Sequence, residues 1–230
     1  MKIVLIHGQN HKGSTYHIGR MIAEKISGGE NPAEFFLPRD LNHFCTGCYA
    51  CVEEVEKCPF YEEKNRIMAE VETADVLIFT TPTYALRESA PMKSFIDLTF
   101  NYWMSHRPRK CMFSKKAVVV STAAGTGAKK AVKYVANVLF YWGVPHVWTY
   151  GISVQAMNWN GVKEKKKRKI EKQTARIADN VVKKTAKAGL KTKAVFMLMR
   201  MLQKADLASG EPDKAYWEKN GWLSKDRPWR

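Results

Sequence analysis

Lys2-Ile3-Val4-Leu5-Ile6-His7-Gly8-Gln9-Asn10-His11-Lys12-Gly13-Ser14-Thr15 decides the fold. The run Lys2–Ile6 is apolar and rich in β-branched residues. It suits a strand buried on both faces, as in a parallel sheet. Gly8 ends the run, and a polar loop with glycines at both ends follows. Ile18, Met21, Ile22 and Ile26 then recur at helical spacing. A loop feeding a helix N-terminus offers unpaired N–H groups and the positive end of a dipole, and both favour an anion. Ser14 and Thr15 read equally well as simple helix caps.

Two later segments have the same design. Ala74-Asp75-Val76-Leu77-Ile78-Phe79 runs into Thr80-Thr81-Pro82-Thr83-Tyr84. Ala117-Val118-Val119-Val120 runs into Ser121-Thr122-Ala123-Ala124-Gly125-Thr126-Gly127. Each apolar run ends in small, hydroxyl-bearing or Gly/Pro residues, and a helical pattern follows. Ala33–Leu37 and Val144–Tyr150 are the remaining strand candidates. Open parallel sheets bind ligands outside the carboxyl ends of their strands, where strand order reverses. The pattern predicts a doubly wound α/β fold, with a five-stranded parallel sheet in the flavodoxin-like order 2-1-3-4-5.

At these loops the chain resembles the NADPH-dependent FMN reductases and related flavodoxin-like oxidoreductases. The resemblance covers about residues 1–155. It implies FMN as cofactor and NAD(P)H as hydride donor. It places the FMN phosphate at Gln9, Lys12, Gly13, Ser14 and Thr15. The flavin ring would lie along Pro82, Thr83, Tyr84 and Ala85, with Thr122, Ala123, Ala124, Gly125 and Gly127 at another edge. Ala90–Asp97 looks like the family's helix after the flavin loop. That helix and the aromatic stretch after it often build a dimer interface, so a homodimer or homotetramer is implied. Two positions depart from the pattern: Gln9 where many relatives have Ser, and Leu98 where many have Arg.

The cysteines form a second motif. Cys45, Cys48, Cys51 and Cys58 have C-x2-C-x2-C-x6-C spacing, and Cys111 stands apart. Three thiols so close, with a fourth just beyond, suit a [4Fe–4S] site. Iron–sulfur flavoproteins of this fold carry a compact four-cysteine motif in the same region. A loop shaped by unligated thiols is the competing reading. Zinc fits less well, because the spacing is not that of paired knuckles. A disulfide framework does not suit a reducing cytosol.

Composition bounds the rest. The chain has 230 residues, is 45% apolar and carries a formal charge of +16. Between Lys163 and Lys204 stand fifteen Lys/Arg against three Asp/Glu, a local +12. Residues 1–188 read as the FMN-binding domain. Residues 189–230 read as a helical, aromatic extension packed on it or on a partner subunit. A basic surface for anionic membranes or nucleic acid is the alternative for this tail. His106, Arg107 and Arg109 read as an exposed basic loop that either pairs with NAD(P)H phosphates or is solvated. The N-terminal apolar run is too short for a signal peptide, and no stretch is long enough for a membrane span. The expected location is cytoplasmic. No Ser-His-Asp or paired-carboxylate signature appears. The reading is an oxidoreductase passing hydride from NAD(P)H through FMN to a small acceptor. An electron carrier with FMN, alone or with a cluster, is the alternative.

Overall fold

The computed structural model describes residues 1–208 and 210–230. Five strands, β1 (Ile3–His7), β2 (Ala33–Phe36), β3 (Val76–Pro82), β4 (Lys116–Ala123) and β5 (His146–Ser153), form one sheet. Its order is β2-β1-β3-β4-β5, and every pairing is parallel. The helices are α1 (Ser14–Ser27), α2 (Leu37–Asp40), α3 (Ala50–Glu53), α4 (Tyr61–Thr73), α5 (Ala90–Leu98), α6 (Ala128–Tyr141), α7 (Glu164–Lys183), α8 (Leu190–Lys204) and α9 (Glu211–Lys219).

Strand alternation sorts the core into two layers, because successive side chains point to opposite faces. Val4, Ile6, Leu77, Phe79, Ala117 and Val119 pack with α4, α5 and α6. Ile3, Leu5, Val76, Ile78, Val118 and Val120 pack with α1 and α7. The three central strands are thus buried on both faces, as their unbroken apolar runs required.

The strand ends differ from the sequence reading. Thr80–Pro82 and Ser121–Ala123 belong to β3 and β4, where Thr80 pairs with Val120 and Pro82 with Thr122. Pro82 is the last residue of β3, where a missing N–H costs the ladder little. The edge strand β5 lies two to three residues later than Val144–Tyr150, directly after Pro145.

A third cluster holds the C-terminal helices. Phe196, Trp217 and Trp222 pack with Met104 and Phe113, with Phe140, Tyr141 and Trp229 around them. Among the described residues no helix is long and apolar enough to cross a membrane.

Candidate flavin and cysteine sites

The strand order reverses between β1 and β3, and three loops gather at their carboxyl ends. Gly8 donates its N–H to the Thr80 carbonyl at 2.7 Å, which locks the start of the first loop to β3. Ser89 Oγ donates to the Gly8 carbonyl at 2.7 Å. A Cβ on Gly8 would meet that oxygen at 2.5 Å, so the close approach requires glycine. Gly13 is the N-cap of α1, with no side-chain capping bond. Ser14 and Thr15 therefore lie inside the helix, and the capping reading fails. Their backbone N–H groups are among those a helix's first turn leaves without intrahelical partners. Thr15 Oγ1 instead meets Thr122 Oγ1 at 2.5 Å and ties α1 to the end of β4.

The second loop is a tight two-strand turn. Tyr84 and Arg87 exchange backbone hydrogen bonds at 3.0 Å, with Ala85 and Leu86 at φ 48° and 65°. Non-glycine residues rarely adopt such angles, and their cost concentrates at ligand-binding sites. The Tyr84 side chain is half exposed at the tip. The third loop, Ala124–Gly127, packs against this turn. Gly127 has φ 100°, and a Cβ there would meet Leu86 Cα at 2.9 Å. Thr83 reaches the same strand end, with its N–H on the Thr122 carbonyl and its hydroxyl 2.9 Å from Ser121 Oγ.

The structure thus brings the three predicted segments to one end of the sheet. Ser14, Thr15, Pro82, Thr122 and Ala123 are buried there, while Lys12, Tyr84, Ala85, Ala124 and Gly125 are exposed. Gln9 is buried. Its Nε2 lies 3.5 Å from Thr80 Oγ1, and its Oε1 has no partner among the described residues. Sequence reasoning missed His7. Its Nδ1 lies 2.7 Å from Thr80 Oγ1, and its ring stacks on Phe36. Its signal was a polar residue closing an apolar strand. Burial, then Arg20, then Lys12 push its pKa down to about 3. Exposed Lys12 favours an anion at this strand end, whereas the Arg20 guanidinium is paired with Glu34 at 2.6 Å and Glu24 at 3.2 Å.

The four clustered cysteines surround one cavity of about 350 Å³, walled also by Phe60, Leu98 and Phe100. Cys45 and Cys48 are exposed, and Cys51 and Cys58 are buried. Leu98, at the second departure from the family pattern, supplies an apolar wall. Burial pushes the Cys51 thiol up, the nearby Lys64 charge opposes this, and Cys58 and Cys45 add to the rise. Among the described residues, no three His, Cys, Asp or Glu side chains converge to hold a metal ion. A single zinc ion needs such tetrahedral convergence. Each thiolate of a [4Fe–4S] cluster binds a different iron. Here the four cysteines line one cavity. Cys111 lies in another cavity with Phe113 and Trp229.

The expected exposed basic loop is not one. Arg107 is buried and donates from Nε to Asp213 Oδ1 at 2.6 Å and from its guanidinium to the Val52 carbonyl. His106 Nδ1 lies 2.8 Å from Asp213 Oδ2. Burial alone would raise the Asp213 carboxyl, but the His106 and Arg107 hydrogen bonds hold it below its usual range. Arg109 bonds Glu72 and lies over the Tyr102 and Tyr216 rings. These groups fasten α9 to the core domain.

An open parallel sheet with three small-residue loops at its switch point defines a flavodoxin-like ligand site. The NADPH-dependent FMN reductase family matches residues 1–157, and the chain belongs to it. An iron–sulfur flavoprotein of Archaeoglobus fulgidus is 33% identical over 44% of this chain and 44% of its own. A second from that organism is 28% identical over 57% of this chain and 64% of its own. The chain thus spans less than two thirds of either relative. An FMN-dependent NADH-azoreductase from Bacillus anthracis, solved with FMN, shares the fold. Its TM-score is 0.57 at 11% identity, over 77% of this chain and all of that one.

Proposed function

We propose that the chain is an FMN-dependent oxidoreductase that takes hydride from NAD(P)H and passes electrons to a small acceptor. A quinone, nitro compound, free flavin or metal complex fits that role. One observation carries the reading: three backbone-rich loops converge at the switch point beside Lys12, in a chain of the FMN reductase family. The residues fit FMN. The start of α1 offers the backbone N–H donors of Ser14 and Thr15, and Gly127 lets the third loop pack against Leu86 of the second. The phosphate falls to Gln9, Lys12, Gly13, Ser14 and Thr15. The ring falls to Pro82, Thr83, Tyr84 and Ala85, with Thr122, Ala123, Ala124, Gly125 and Gly127 at its edge. FMN supplies hydride and electron transfer when bound, so the chain needs no acid–base dyad of its own. Its residues bind and orient. The Gly13–Thr15 N–H groups would hold the phosphate, and the strained Tyr84–Arg87 turn would offer an aromatic ring to the flavin. Residues 1–188 form the cofactor domain, and 189–230 buttress it through Asp213. Anaerobic NADPH or NADH should bleach the visible flavin bands of the purified protein. Bands that persist with both donors reject the enzyme reading and leave an electron carrier.

A second reading is favoured by the cysteine cavity. Cys45, Cys48, Cys51 and Cys58 would hold a [4Fe–4S] cluster, since the four cysteines line one volume and their sulfurs would bind iron as thiolates. Anaerobically purified protein should contain about four iron and four sulfide per chain. Any one of these cysteines changed to Ala should lose most of the iron, and Cys111→Ala should not. Full FMN with no iron rejects the cluster and leaves a plain flavin reductase with a structural cysteine loop.

A further inference from the structure

Lys64, just beyond the cysteine loop on α4, is a buried cation whose environment opposes its chemistry. It is 2% exposed, and its ammonium has no hydrogen-bond partner among the described residues. A cation stripped of water is strongly unfavourable unless an anion or several acceptors replace its hydration. The backbone sets Lys64 close behind the cysteine loop. The Tyr61 N–H bonds the Cys58 carbonyl at 3.0 Å, so α4 starts directly behind the last cysteine. The Lys64 N–H bonds the Phe60 carbonyl at 3.2 Å. Residues four apart share a helix face, so Lys64 follows cavity-lining Phe60 one turn into the protein. Cys51 and Cys58 belong to the hydrophobic cluster that α4 helps to build. Lys64 also acts electrostatically on Cys51.

We propose that Lys64 is a positioning residue for an iron–sulfur cluster, a fixed counter-charge behind Cys51 and Cys58 that raises the cluster's reduction potential. The inference rests on the cluster reading above. Four thiolates around a [4Fe–4S] core leave the site net negative, and one-electron reduction adds a further negative charge. A fixed cation in a low-dielectric wall stabilises the reduced site more than the oxidised one. Net charge is among the factors that set such potentials. Without an anion, the same ammonium only destabilises the fold. Apolar replacement of a buried charge is often neutral or stabilising, so the cluster-free Lys64→Met chain should unfold at a higher temperature than the cluster-free parent.

The test uses the full chain, purified anaerobically, as the parent, Lys64→Met and Lys64→Arg. Iron and sulfide are measured first. Each protein is then titrated with dithionite in the presence of redox mediators, and the reduced cluster is followed by electron paramagnetic resonance. Lys64→Met should keep its iron and titrate at a more negative potential, with Lys64→Arg restoring most of the difference. If Lys64→Met loses iron, Lys64→Arg decides. Iron retained with Arg supports the charge, and iron lost from both overturns it. Full iron and an unchanged potential in Lys64→Met overturn the role of Lys64 and leave the cluster standing. A parent chain without iron overturns the cluster reading and this inference with it.

Discussion

His7→Leu should change how the protein's stability depends on pH. His7 is fully buried between Phe36, Tyr16 and Thr80, and its pKa is pushed from 6.5 down to about 3. The unfolded chain binds a proton at this residue near pH 6.5, whereas the folded chain does so only near pH 3. Protonation therefore favours the unfolded chain over that interval. The stability is fully present above pH 6.5 and is lost as pH falls toward 3. At 1.36 kcal/mol per pH unit, the whole interval corresponds to about 5 kcal/mol. Between pH 6.5 and pH 5 the loss is about 2 kcal/mol, a large part of a typical domain's 5–15 kcal/mol. Leu fills a similar space but gives up the bond to Thr80, so the variant should start about 1 kcal/mol less stable at pH 7. Urea unfolding at pH 7 and pH 5 measures both chains, and titration of all other groups largely cancels in the difference. The variant should gain about 2 kcal/mol on the parent between the two pH values. Parallel pH dependence in parent and variant would refute a buried, neutral His7.

Three further outcomes follow from the site. Tyr84→Ala should weaken FMN binding while changing unfolding free energy by about 0.5 kcal/mol or less, because the side chain is half exposed; equal FMN affinity with a large stability loss would make Tyr84 a packing residue. Asp213→Ala leaves Arg107 buried without its carboxylate, which should cost about 3 kcal/mol and speed proteolysis within residues 189–230; an unchanged digestion pattern and urea midpoint would contradict the anchoring role. Gly127→Ala should destabilise by about 1–2 kcal/mol from its left-handed backbone alone and should also weaken FMN binding, because its Cβ would press on Leu86; wild-type FMN affinity in a folded variant would remove the third loop from the site.

The central strands were legible because burial on both faces leaves an unbroken apolar run, as in Ile3–Ile6 and Val118–Val120. The strand ends were harder. Thr80, Thr81, Ser121 and Thr122 read as loop, yet they stay in the ladder between β3 and β4, where the Ser121 hydroxyl lies 2.9 Å from that of Thr83. The edge strand β5 was misplaced because half-buried strands carry a weaker pattern. Arg107 looked solvated because its partner Asp213 lies 106 positions away, beyond the reach of any local rule. Nothing local to the sequence marks Lys64, and only the fold shows it enclosed. The grouping of the four cysteines on one loop was legible from spacing, whereas the cavity they line required tertiary structure.

The central claim is that the loop after β1 receives the phosphate of FMN. The most direct measurement compares the affinity of the apoprotein for FMN with that for riboflavin, which lacks the phosphate, in the parent and in Ser14→Asp. Charge-assisted hydrogen bonds contribute about 1.5–3 kcal/mol each, so two or more should make FMN at least about 100-fold tighter in the parent. Ser14→Asp sets a negative charge against the phosphate and should collapse that ratio while leaving riboflavin affinity nearly unchanged. Equal affinity for FMN and riboflavin in the parent, or a ratio unaltered by Ser14→Asp, would contradict the account.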